Sequence, residues 1–89
     1  MRIPKSFELG GTTWSVVQIK NLAELGRCQR DIHTIQIKEN LPTSIKQQTF
    51  CHELVHAIKY TLGEDDHDET KVDVFATFLH QFLKSARYK

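Results

Sequence analysis

The segment His52-Glu53-Leu54-Val55-His56 holds the residues whose types and spacing can do chemistry. It reads H-E-x-x-H, and its surroundings read as helix. In a helix, residues four apart lie about 40° apart around the axis and about 6 Å apart along it. Two imidazoles at that spacing can converge on one metal ion. Glu53 projects about 100° round from His52, beside the metal position, where a carboxylate can hold a water. A catalytic zinc takes three protein ligands and leaves its fourth position to that water. Zinc lowers the pKa of the water toward about 7 and polarises a substrate carbonyl, while the glutamate takes the proton and delivers it to the leaving amine. A surface helix that carries these three residues by chance is the plain alternative. The agreement of stripe, turns and helix boundaries with the required context argues against it.

One helix supplies two ligands, so the third comes from another element. The longer H-E-x-x-H-x-x-G-x-x-H pattern is excluded, because the position six residues past His56 is Leu62. The acidic stretch Asp65-Asp66-His67-Asp68-Glu69 offers the candidates. Glu69 is favoured. It opens a second helix, and Asp73 follows four residues later on the same face. Two carboxylates at that spacing repel each other on a bare helix. They are explained if Glu69 holds a metal and Asp73 accepts a hydrogen bond from a ligand imidazole. Two alternatives stay open: Asp66-x-x-Glu69 has the form of a capping box, and His67 is a rival ligand. His80 is excluded, since it would lie about 16 Å along the helix from Glu69.

These groups need a scaffold. Phe7 to Leu9 and Thr12 to Lys20 read as strands around the turn signal Gly10-Gly11. Asn21 to Gly26 is a connection. Cys28 to Arg30 and His33 to Lys38 form another extended pair around Asp31, and Ile35 and Ile37 alternate as in a strand with one buried face. The second half reads as two helices. The first is expected to start at a capping box, Ser44-x-x-Gln47, and to bury Cys51, Leu54, Val55, Ile58 and Leu62, with Gly63 as its stop. The second is expected over Glu69 to Arg87, burying Val72, Phe75, Ala76, Leu79, Phe82, Leu83 and Ala86. Strands followed by helices predict an α+β fold: a small antiparallel sheet of about three strands followed by two packed helices.

Composition narrows the function classes. A chain of 89 residues with 12 Lys+Arg against 11 Asp+Glu is one domain with a formal charge of +1, so no basic stripe for nucleic acid is expected. No apolar run is long enough for a membrane span, and the first residues lack the apolar core of a secretion signal. Cys28 and Cys51 are too few for a disulfide scaffold, which points to a reduced, cytoplasmic protein. Both read as core residues.

Phe50 to Ile58 (FCHELVHAI) resembles the active-site helix of small zinc metallopeptidases of the gluzincin type. Glu69 to Leu79 is similar to the E-x-x-A-N-x-F-A segment of ImmA/IrrE-like metallopeptidases, with Val72 in place of a small residue and Asp73 in place of the usual Asn. An Asp four residues past the ligand Glu is also a pattern of thermolysin-like gluzincins. Gly26 to Ile37 resembles the strands that precede this helix in SprT-like and phage zincin-like proteins, which use a third histidine and so keep His67 in play. The resemblance covers about Leu25 to Leu83. It implies a minimal zincin-like domain over residues 1–89 that cleaves a protein or peptide substrate as a metalloendopeptidase. His52, His56 and Glu69 would hold Zn2+, and Glu53 would be the catalytic base. The resemblance also implies a substrate peptide along an edge strand, at His33 to Lys38. A second oxyanion donor is expected, with Tyr60, His33 and His67 as candidates. The competing class is a zinc-stabilised protein-binding module of zincin fold with little or no activity. Glu53 discriminates between the two, because a purely structural site has no use for it.

Overall fold

Gly10 and Gly11 both adopt positive φ, 55° and 82°, and turn β1 (Ser6–Leu9) back on β2 (Thr12–Ile19). Two consecutive residues at positive φ fit the tight hairpin turns that match strand twist, and glycine takes them without steric cost. The computed structural model describes residues 1–89. After β2 the chain passes to the far edge of the sheet as β3 (Gly26–Gln29). A single 3-10 turn, Arg30–Ile32, and His33 at φ 48° reverse it into β4 (Thr34–Lys38).

The sheet order is β1-β2-β4-β3. β4 fills the gap left between β2 and β3, so it runs antiparallel to β3 and parallel to β2. The fold is α+β, with a mostly antiparallel sheet of four strands where about three were expected. The parallel pair arises because residues 20–25 carry the chain past the place that β4 later takes. The same topology corrects the expected substrate edge. His33 to Lys38 is not an edge: β4 is paired on both sides, with Ile35 and Ile37 fully buried. The edges are β1 and β3.

α1 (Thr43–Thr61) lies against β3 and β4, and α2 (Glu69–Ser85) lies against α1. Trp14, Ile35, Ile37, Phe50, Cys51, Val55, Ala57, Val72 and Ala76 form the core. Phe7 stacks on Trp14 and meets Phe50 edge-on, a favourable arrangement of aromatic rings.

Several local expectations are corrected. The capping box at Ser44 does not form. α1 starts at Thr43 behind Pro42, and Gln47 instead donates to the Met1 carbonyl (2.7 Å) and lies 3.1 Å from His80 Nε2. α1 is packed by both the sheet and α2, so its burial is not one stripe: Cys51, Glu53, Val55 and Ala57 are buried, while Leu62 is 70% exposed. α2 buries Val72, Ala76 and His80, and Phe75 and Phe82 stay 60% and 58% exposed. Asp73 and Phe75 are separated by about 200° around the helix. Turning Asp73 toward α1 therefore turns the phenylalanine flank away.

The link between the helices is fully specified by hydrogen bonds. Gly63, at φ 84°, donates to Tyr60 O and Glu64 N–H donates to Lys59 O, which is a Schellman stop. Asp68 caps α2 by accepting from the N–H groups of Thr70 and Lys71. No helix is long and apolar enough to cross a membrane.

Candidate metal centre

His52 and His56 occupy successive turns of α1, and Glu69 is the first residue of α2. Because Asp68 does the capping, the Glu69 side chain is free to reach across. Its Oε2 lies 3.2 Å from His52 Nε2 and its Oε1 lies 3.0 Å from His56 Nε2. One ligand atom from each of the three residues falls within 4.8 Å of the others. Around a tetrahedral ion with bonds near 2.0–2.2 Å, ligand atoms sit roughly 3.4 Å apart. Two imidazole nitrogens and one carboxylate at this spacing therefore fit zinc in donor chemistry and in size. Two ring nitrogens facing a single carboxylate also need a positive partner, supplied either by protons or by a shared cation.

The opposite nitrogens of both imidazoles are occupied as well. His52 Nδ1 lies 3.4 Å from Asp73 Oδ1, the pairing expected for the carboxylate four residues past Glu69. His56 Nδ1 faces His67 Nδ1 at 2.5 Å, and His67 Nε2 lies 2.7 Å from Glu64 O. His67 is thus behind His56 and outside the group of three. Burial pushes the His56 pKa down, against the opposing pull of Glu69. A neutral imidazole is the form that binds metal.

Glu53 is 8% exposed and lies outside the cluster of potential ligands. Burial pushes its pKa up to about 7; the neighbouring His52 opposes the rise, and Glu69 and Glu24 add to it. A carboxylate with a pKa near the working pH is suited to accept and return a proton. Its place depends on Gly26, where a Cβ would meet Thr49 Cγ2 at 2.5 Å and Glu53 Cγ at 3.1 Å. The sequence reading placed Gly26 at the end of a connection and missed this contact; a glycine at the start of an extended segment was the only signal.

Two open cavities, of about 530 Å3 and 370 Å3, meet at this point and share Gly26, His52 and Glu53. Leu25 and Ile45 flank the larger one, and Arg27, Cys28 and Tyr60 flank the smaller. Tyr60 thus borders the His52, His56 and Glu69 group, whereas His33 packs edge-on against Trp14, 5.2 Å between ring centres, and lines neither cavity. Burial raises the Cys28 thiol to about 12 and the Cys51 thiol to about 11, and neither belongs to the His52, His56 and Glu69 group. His80 lies between Gln47 and Gln48 of α1, away from the cluster. The chain matches no protein-family model, no curated protein and no solved structure.

Proposed function

We propose that this chain is a zinc-dependent metalloendopeptidase in which His52, His56 and Glu69 hold the metal and Glu53 is the catalytic base. The observation that carries this reading is the convergence of two imidazole Nε2 atoms on both oxygens of Glu69, with a buried carboxylate of raised pKa beside them that is not a ligand. A zinc ion held there would supply Lewis acidity and an activated water. Glu53 would serve as the proton acceptor beside it and return the proton to the leaving amine. Asp73 holds the His52 ring through Nδ1, which keeps its Nε2 directed at Glu69.

The substrate is an extended peptide. Its place is the outer edge of β3, not residues 33–38, because β3 is the unpaired edge and Gly26, Arg27 and Cys28 border the groove that holds His52, Glu53 and His56. An extended chain there gains main-chain hydrogen bonds by strand addition. The larger cavity on the other side of Glu53 receives a substrate side chain. Two free cysteines suit a reducing compartment, and we place the protein in the cytoplasm.

The experiment is Glu53→Gln, assayed with a pooled peptide library read by mass spectrometry. Gln keeps the shape but cannot accept the proton. Cleavage should fall by about 10²–10⁴-fold, with zinc content unchanged. A wild-type protein that binds zinc and cleaves nothing in the library would instead favour the zinc-stabilised binding module, and cleavage by the variant at the wild-type rate would remove Glu53 from the mechanism.

A further inference from the structure

We propose that His67 is a positioning residue of the metal centre: it accepts a hydrogen bond from the Nδ1–H of His56 and so fixes the tautomer in which His56 presents a bare Nε2. The inference rests on the metal-centre reading above and gives a role to a residue that the sequence offered as a rival ligand or an oxyanion donor.

The proton count follows from the contacts. His67 Nε2 lies 2.7 Å from the carbonyl oxygen of Glu64. A carbonyl only accepts, so Nε2 carries the hydrogen, and the neutral His67 ring has its lone pair on Nδ1. His56 Nδ1 lies 2.5 Å from that atom. Two lone pairs cannot face each other at this distance, so one proton lies between them. The single N–H of His67 is already spent on Glu64, so the proton belongs to His56 Nδ1 when the proposed cation, and not a proton, lies between His56 Nε2 and Glu69. A neutral His56 protonated there has its free lone pair on Nε2, the atom 3.0 Å from Glu69 Oε1. The opposite tautomer would place a hydrogen on Nε2 and block it as a ligand.

The connection between the helices is built to hold this ring. His67 packs on His56 with centroids 4.8 Å apart and on Tyr60 at 4.4 Å. The Arg30 guanidinium lies over the Tyr60 ring, 4.9 Å from its centre, and its Nη1 pairs with Asp65 at 2.5 Å. Lys59 pairs with Glu64 at 3.1 Å. A solvated loop histidine has no need of such a frame, and a third ligand would point a nitrogen at the Nε2 atoms, which His67 does not. The two ligand histidines are therefore oriented by different chemistry, His52 by the charged Asp73 and His56 by a neutral imidazole.

The test compares wild type with His67→Phe, which keeps the ring packing but has no acceptor, and His67→Gln, which restores an acceptor oxygen. Zinc affinity is read by competition with a chromophoric chelator. The His56 Nδ1–H is read by proton–nitrogen NMR on the zinc-loaded protein, where a hydrogen bond to His67 moves its proton downfield and slows its exchange with water. Wild type should show such a proton. His67→Phe should lose that signature and bind zinc about 10–100-fold more weakly, still at one ion per chain, and His67→Gln should recover part of the loss. A wild-type Nδ1–H that shifts and exchanges as in His67→Phe, or unchanged zinc affinity in His67→Phe, overturns the proposal. So does abolished zinc binding in His67→Phe, which would make His67 a ligand. Absence of zinc binding by wild type defeats the metal reading itself and the role of His67 with it, an outcome distinct from zinc-binding wild type with an indifferent variant.

Discussion

Gly26 of β3 and Glu53 of α1 are packed so closely that a side-chain carbon on Gly26 would lie 3.1 Å from Glu53 Cγ. The edge strand and the buried carboxylate are thus seated by one contact. The same added carbon would meet Thr49 Cγ2 at 2.5 Å, closer than two carbons can approach. Gly26→Ala must therefore shift the Thr49 and Glu53 side chains or move α1 away from β3. It should cost roughly 1–3 kcal/mol, seen as a lower Tm, and should reduce cleavage more than zinc affinity, because all three ligands lie on α1 and α2. A Tm equal to wild type would show that the contact is not tight.

Glu69 and Asp68 are adjacent acids with different tasks, one reaching the histidines and the other capping α2. Glu69→Ala should abolish stoichiometric zinc binding. Asp68→Ala should keep zinc and lose about 0.5–2 kcal/mol of stability. Metal analysis and thermal melts on the two variants separate ligand from cap, and the opposite pattern would exchange the roles.

A shared ion would cross-link α1 to α2, and anything that binds only the folded state adds to its stability. Wild-type Tm should drop on addition of a strong chelator, and Glu69→Ala should show no such drop. Identical melting of the wild type with and without chelator would mean that no ion links the helices.

The pH dependence of metal-free protein should carry the signature of Glu53. Burial raises its folded pKa to about 7, above the ordinary carboxylate value. A raised folded pKa means that the fold favours the protonated group. Its contribution is fully present below about pH 4.5 and is lost as pH rises through about 7. Metal-free Glu53→Gln should therefore gain on wild type between pH 5 and 8, by on the order of 1–3 kcal/mol. Denaturant titrations of both proteins at several pH values measure the difference, which removes the opposite contributions of His56 and His80, whose pKa values are lowered. A difference that does not change with pH would contradict the burial of the carboxylate charge.

Phe78 is 65% exposed on the outer flank of α2. Phe78→Ser should leave the stability of the monomer within about 0.5 kcal/mol, as surface substitutions usually do. A loss of several kcal/mol in a denaturant melt would place the ring in a core.

The sequence made the convergence of His52, His56 and Glu69 legible because H-E-x-x-H and Glu69/Asp73 are each defined by helical spacing, which holds wherever the helices pack. It could not show which strand lies at the edge, since the insertion of β4 between β2 and β3 depends on a crossover with no local signal. The phenylalanines of α2 misled for a related reason. Periodicity shows that they share a side of the helix, but the packing of Val72, Ala76 and His80 in the fold sets which side is buried. Gly26 and His67 were visible only as residue types, because their parts are defined by contacts across the fold.

In the proposed metal centre the three ligands span only residues 52–69, within one helical hairpin, while Glu53 is seated by a strand that begins at residue 26. Contacts close in sequence form at little cost in chain entropy, and distant pairings come later. During folding, the hairpin can capture its ion before the sheet closes over Glu53. Metal uptake would then precede competence for chemistry, and a chain still assembling its sheet would carry zinc without an aligned base to use it.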